Sequence, residues 1–303
     1  MPHPSPVPSP TPPDWPHCGH GNTPENPVGC RGIHVPGHTA CLAHLADTDR
    51  ATYLTGLAPG DDMDHRGTTF AEPLLAELLN AVRDPGTGKP QLGHTDFDSA
   101  IFTGDAQFGS ATFTGDAQFG SAIFTGVAMF GSATFTEDDQ FGSATFTGDA
   151  QFGSATFTGD AMFDSATFTG DAQFGSATFT GDAMFDSATF TGDAMFDSAT
   201  FTEDAQFGSA TFTGDAQFGS ATFTGDAMFD SATFTEDAQF GSATFTGDAQ
   251  FGSATFRANL DCDGASFGKD ALFQRAVFER ASSFGPLVCA GRVQLSGGLD
   301  PGC

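Results

Sequence analysis

Between Lys89 and Arg257 the chain has no lysine and no arginine, and beyond His94 it has no histidine. The six cysteines also avoid that stretch: Cys18, Cys30 and Cys41 precede it, and Cys262, Cys289 and Cys303 follow it. A segment without cations cannot neutralise phosphates, so direct binding to nucleic acid or to an anionic membrane is disfavoured by sign. It has no Lys or Cys and, beyond His94, no His, so it offers no Schiff-base amine or thiolate and, past that point, no imidazole base. No Ser-His-Asp grouping, phosphate-cradling Gly-Lys loop or dinucleotide fingerprint can be read either. An enzyme is therefore not expected. No apolar run reaches membrane-spanning length, and the opening Met1-Pro-His-Pro-Ser-Pro carries no apolar signal segment. A soluble cytoplasmic protein is the expectation.

What the stretch does have is phenylalanine. Thirty of the 35 Phe lie between Phe97 and Phe256, at spacings that alternate between five and six residues. Phe267, Phe273, Phe278 and Phe284 continue the same register. The unit is eleven residues, as in Ala111-Thr-Phe113-Thr-Gly-Asp116 followed by Ala117-Gln-Phe119-Gly-Ser121. A helix cannot use this pattern: at about 100° per residue Phe97 and Phe102 sit roughly 140° apart, and no single apolar stripe forms. Gly adds a penalty of about 1 kcal/mol each against Ala in a helix. A strand can use it. In Ala-Thr-Phe-Thr and Ala-Gln-Phe-Gly a period of two puts Ala and Phe on one side and Thr, Gln or Met on the other. Strands of three to four residues joined by Thr-Gly-Asp or Gly-Ser corners bury their Phe only by winding into coils that stack on one another. The Phe are expected to be core.

A small residue two positions before a bulky apolar one, with polar residues between, is similar to the pattern of the pentapeptide-repeat proteins. Ala111-Thr-Phe113, Ala117-Gln-Phe119, Ala258-Asn-Leu260 and Ala265-Ser-Phe267 carry the resemblance, which covers about residues 95 to 295. It implies an all-β fold, a right-handed quadrilateral β-helix with four sides per coil. Because every second side has six residues, the coil is expected to hold 22 residues, with an eleven-residue, two-sided coil as the competing arrangement. The expected organisation is a disordered Pro-rich tail (1–14), a Cys/His-containing, partly helical N-terminal cap (15–92), the solenoid (93–295) and a C-terminal tail (296–303).

Charge is uneven as well. The formal net charge is −28, and 23 acidic residues fall between Asp96 and Asp248. Twelve precede Ala at a corner: Asp105, Asp116, Asp149, Asp160, Asp171, Asp182, Asp193, Asp204, Asp215, Asp226, Asp237 and Asp248. In a 22-residue coil they form two columns on opposite corners, where like charges repel across about 4.8 Å. Acidic corners keep an all-β surface soluble. The same columns could also imitate a DNA duplex, and the resemblance implies a partner of that kind: several pentapeptide-repeat proteins mimic DNA towards type II topoisomerases. An acidic interaction rod with a basic, DNA-binding protein as partner is the leading expectation. The alternative is an ice-binding or purely structural scaffold built on outward Thr-x-Thr ladders, such as Thr134-Phe-Thr136 and Thr145-Phe-Thr147. Cation binding by the Asp columns is expected to be weak and nonspecific, because one carboxylate per corner is a thin ligand set.

Ahead of the repeats, Cys18, Cys30, Cys41 and His44 make a tetrahedral Cys₃His inventory, and Cys41-Leu-Ala-His44 is a pair that one helical turn can join. A structural zinc is the first reading, with His20, His34 and His38 as substitute ligands. Free cysteines with surface histidines, or a disulfide, are the others. Helical spacing follows over Ala40 to Leu57. It returns over Thr69 to Arg83, where Thr69 and Glu72 have capping-box spacing. This segment is placed to cover the open end of the solenoid. At the other end the lattice is expected to reach Cys289 or Leu295, with Cys262 and Cys289 facing inward unless Leu260 takes that role. No amphipathic C-terminal helix is read, so dimerisation by that route is not expected.

Overall fold

The structure is a computed structural model, and it describes residues 11–280 and 282–295. From Thr95 onward the strands pair in parallel with equivalents 22 residues along the chain: Thr134 with Thr156, and Phe135 with Phe157. The coil therefore has 22 residues, and the eleven-residue alternative is excluded. Strands follow one another around a coil at Ile101–Phe102, Ala106–Gln107, Thr112–Phe113 and Ala117–Gln118. They stack into four parallel sheets of 11, 8, 10 and 10 strands, a β-solenoid. The two ten-stranded sheets face opposite ways and present Thr; the other two present Gln or Met. Ladder segments are shorter than the three to four residues expected, because corners take the rest.

Every Phe from Phe97 to Phe256 is buried, as are the Ala two positions before nearly all of them. Along a column the rings stack face to face: Phe163 and Phe185 lie 4.9 Å apart at 3°, and Phe168 and Phe190 4.8 Å apart at 2°. Across the core they meet edge to face, as Phe174 and Phe185 do at 5.4 Å and 86°. The edge-to-face contacts suit the ring quadrupole, while the spacing of the parallel stack follows that of the strands. Identical residues stacked in register make a slip by one residue costly, since it would turn every Phe outward.

The two corner types differ in chemistry. At Phe-Gly-Ser-Ala corners the Ala111 N–H donates to the Phe108 carbonyl (3.0 Å), and Ser110 adopts a φ of +58°. A positive φ at the third turn position usually calls for Gly or Asn, yet serine fills it at every such corner from Ser99 to Ser253. The glycine before it is not in that region. A Cβ at Gly109 would meet nothing nearer than 3.8 Å, so Asp98, Asp164, Asp186, Asp197 and Asp230 can occupy the same slot.

The N-terminal part departs from the expected boundary. Strand β1 (Met63–Asp64) already pairs with β4 (Thr95–Asp96). Strand β2 (Thr69–Phe70) pairs with Ile101–Phe102, and β3 (Gln91–Leu92) with Thr112–Phe113. Helix α2 (Glu72–Ala81), preceded by α1 (Asp47–Thr55), stands where the first coil lacks its eight-stranded-sheet side. The expected capping box is not formed. Thr69 lies in β2 and the helix N-cap is Ala71, without a side-chain cap, because backbone pairing of this strand with the next coil (Ile101 N–H to Thr68 O, 3.0 Å) claims the segment first. Leu75, Leu78, Leu79 and Val82 bury the helix stripe against the solenoid core. The helix expected over Ala40 to Leu57 is broken into a 3₁₀ turn (Leu42–His44) and α1.

At the far end the last strand is Val293–Leu295. Cys262 is buried and inward, as is Leu260, while Cys289 pairs with Phe267 and is half-buried. Cys303, the tail 296–303 and most of the expected N-terminal tail lie outside the described residues. Among the described residues, no helix is long and apolar enough to cross a membrane.

Candidate metal centre and acidic corners

Backbone pairing brings the first two cysteines together. Cys18 N–H donates to Gly32 O (2.9 Å), Gly19 N–H to Cys30 O (2.8 Å), and Cys30 N–H to His20 O (2.9 Å). The 3₁₀ turn then carries His44 back over Cys41 (His44 N–H to Cys41 O, 2.9 Å). Cys30 Sγ lies 3.6 Å from Cys41 Sγ. His44 Nδ1 lies 3.3 Å from Cys41 Sγ and 3.6 Å from Cys18 Sγ. All four ligand atoms fall within 4.8 Å of one another. A zinc tetrahedron with its usual bond lengths separates two sulfurs by about 3.8 Å, and sulfur from nitrogen by about 3.5 Å. The residues fit such an ion.

The surroundings fit too. Gly32 N–H donates to Cys30 Sγ (3.4 Å), and the His20 ring stacks on His44 at 4.1 Å. A Cβ on Gly32 would come within 2.6 Å of Cys41 Cβ, so only glycine lets the strand pass this close. The Cys30 thiol is lowered to about 5 by its contact with Cys41, whose own thiol is pushed up by the same contact and by burial. All three cysteines are free thiols. Of the substitute ligands, His20 stacks on His44 and the other two point elsewhere: His34 Nε2 lies 2.9 Å from His17 O, and His38 faces Asp49 at 3.9 Å. Among the described residues this is the group of three or more such ligands that converges; the corner carboxylates do not.

The twelve corner aspartates do form two columns on opposite corners, but they are not simply left to solvent. The sixth residue of the long side brings an N–H that lies outside the strand ladder. Eleven of the twelve carboxylates accept that N–H from the residue one coil on, at 2.9–3.2 Å. The series runs Asp160 to Asp182, Asp182 to Asp204, Asp204 to Asp226 and onward. Asp116 instead lies 3.7 Å from His94 Nδ1. Each of these bonds staples one coil to the next. The corner threonines behave alike: Thr114 and Thr136 hydroxyls donate to Leu92 O and Phe113 O of the preceding coil.

Two residues escaped the sequence reading. Asp139 stands in an inward Ala column between Ala117 and Ala161 and is fully buried. Its Oδ1 accepts the Ala117 N–H (3.2 Å) and its Oδ2 has no partner. Burial pushes its carboxyl up to about 8, opposed by that hydrogen bond and helped by Asp116, Asp138 and Glu137. The signal was visible, since Glu137-Asp-Asp139-Gln is the one place where an acid replaces that inward Ala. His65 had no such signal, because α2 interrupts the period before it. It stacks over Phe97 at 6.0 Å and ends that Phe column, with Tyr53 OH 3.3 Å from its Nε2. Burial lowers its imidazole to about 4.

A family model described as pentapeptide repeats (9 copies) matches residues 97–143, 141–189, 152–200, 185–233, 196–244 and 229–277. No curated protein and no solved structure matches the chain. The matched segments together run from 97 to 277, more than half of the 303 residues, and coincide with the stacked coils. The chain belongs to the pentapeptide-repeat family, in a form that lengthens every second side and uses an aspartate to close it.

Proposed function

We propose that the chain is a non-catalytic interaction rod whose acidic shaft binds the basic surface of a DNA-binding protein, with a type II topoisomerase as the partner the family resemblance suggests. One observation carries this reading: the outward charge of the shaft approaches that of a duplex. From Phe97 to Phe251 the stacked rings rise about 34 Å. Of the 23 acids between Asp96 and Asp248, Asp139 alone is fully buried, and no lysine or arginine lies among the others. That is about one outward charge per 1.6 Å, against about one per 1.7 Å for DNA. Such a field steers a basic partner and repels nucleic acid and anionic lipid. At the N-terminal end, the Cys₃His group supplies four protein ligands with no open position, which suits a structural metal rather than a catalytic one.

The test separates charge from fold. Asn keeps a carbonyl acceptor for the next coil's N–H and removes the charge, and Asn259 already occupies one column position, where its own N–H donates to Asp237 Oδ1. The purified chain at micromolar concentration is expected to inhibit supercoiling by a bacterial type II topoisomerase, with inhibition lost at high salt. The triple variant Asp160→Asn, Asp182→Asn, Asp204→Asn is expected to weaken inhibition while keeping its β circular dichroism. Absence of inhibition by the unaltered chain rejects the topoisomerase as partner. Equal inhibition by the triple variant rejects the charge mechanism.

A further inference from the structure

We infer that Cys18, Cys30, Cys41 and His44 hold one zinc ion, and that this ion clamps the leader onto the first coil and so keeps the N-terminal edge of the sheets covered. The clamp rests on reading the group as a metal site, and the experiment below tells the two apart. Three thiolates and one imidazole at tetrahedral separations select a soft, four-coordinate divalent ion; Ca²⁺ and Mg²⁺ require oxygen ligands.

The ligand loops lead straight into the first coil. Gly32 is wedged between Cys41 and Thr68, whose Oγ1 would be 2.9 Å from a Cβ there. Ile33 N–H donates to Arg66 O (2.8 Å), and Trp15 Nε1 donates to Arg31 O (2.9 Å). The Arg66 guanidinium lies 5.1 Å from the Trp15 ring and pairs with Asp64 (2.8 Å) and Asp96 (3.1 Å). His65 and Gly67 N–H then donate to Asp96 O and Asp98 O, both at 2.8 Å. A rigid metal knot thus fixes residues 31–33 and 41, which fix 65–68, which form the first corner of the solenoid.

The leader has little apolar material of its own to do this: Val28, Val35, Leu42 and Leu45 are its buried aliphatic side chains among the described residues. Segments of that kind draw most of their folding energy from the metal. Without it, the four ligand atoms would crowd one another, and the edge capped by His65 would lose its support. An uncovered edge is a template for pairing with another chain.

The full chain is stripped with a chelator under reducing conditions and reloaded with Zn²⁺ alone. One zinc per chain is expected, and Co²⁺ in its place should give the intense thiolate and ligand-field bands of a tetrahedral site. On stripping, amide exchange at Ile33, His65 and Gly67 should rise at least tenfold, while the coils around Phe185 stay unchanged. Failure to bind zinc stoichiometrically at micromolar concentration overturns the metal site and the clamp together. One bound zinc with unchanged exchange at His65 and Gly67 overturns the clamp and leaves the metal site standing. Because Cys41→Ser could unfold the buried leader, Cys18→Ser at a half-buried position serves as the second variant. Each is expected to lose stoichiometric zinc, and Cys289→Ala to retain it; tight binding by both serine variants overturns the ligand assignment.

Discussion

Residues 11–62 hold the only tryptophan, three converging thiols and a 3₁₀ turn, each used once; residues 97–256 repeat one eleven-residue unit. In the leader, order comes from contacts that have no duplicate: Trp15 on Arg66, Gly32 under Cys41, His20 on His44. In the rod, each coil touches chiefly the coils 22 residues away, through the same ring stack and the same aspartate hydrogen bond. Stability there is close to a sum of nearest-neighbour terms. The comparison teaches where damage should spread: across the whole leader when one unique contact is lost, but only to adjacent coils when a repeated one is.

The largest effect should come from the middle of the Phe stack. Phe185→Ala removes a ring that stacks on Phe163 and Phe207 and meets Phe174 edge-on. A loss of about 3–5 kcal/mol is expected for such a cavity. Hydrogen exchange should accelerate in the coils containing Phe163, Phe185 and Phe207 and stay unchanged at Ile33 and His65. Faster exchange in the leader would break the comparison, because it would mean the rod does not confine its damage.

Next is Asp139, the rod's own unique contact. Its folded carboxyl titrates near 8, against about 3.9 for an unfolded Asp. The folded state therefore holds the proton more tightly. Its full contribution is present below about pH 4 and is lost progressively as pH rises towards 8, where ionisation must occur in the core. Asp139→Ala should accordingly stabilise the rod at pH 8, with the gain shrinking towards pH 4. Asp96, Asp98, Asp164 and Asp230 are also raised, so the measurement is the difference between the two proteins' melting curves across pH. A pH-independent difference would show that Asp139 is not neutral in the folded state.

The smallest effect is expected at the corners. Asp193 accepts the Asp215 N–H at 3.0 Å. Asp193→Ala should cost about 1 kcal/mol through the unmet donor, whereas Asp193→Asn should be close to neutral. Urea denaturation of both variants gives the answer. Equal losses would assign the aspartate's role to charge rather than to its acceptor.

Much of this was legible in advance for one reason: a period shared by every copy reports its environment repeatedly. The stacked coils and the buried Phe follow from Ala-x-Phe spacing, whereas the choice of 22 over eleven residues per coil, and with it the opposite acidic columns, came from the strand pairing. The Cys₃His inventory was legible as composition, but its choice over His34 and His38 was not, because the hairpin joining Cys18 to Cys30 has no periodic signature. Thr69 misled for a related reason. Local capping chemistry favoured a helix start, and a strand partner more than thirty residues away overrode it. The inward Asp139 broke a visible pattern; His65 sat where the helix insertion had erased the pattern.

The amino-acid order alone determined that the chain is a solenoid, since a two-residue alternation with fixed corners hides thirty rings from water only by stacking coil on coil; the number of residues per coil was decided by the pairing. Tertiary structure decided what the corner carboxylates are bonded to, which four ligands meet, and how the first coil is closed. Those depend on groups brought together from distant positions or neighbouring coils, a proximity that no local spacing encodes.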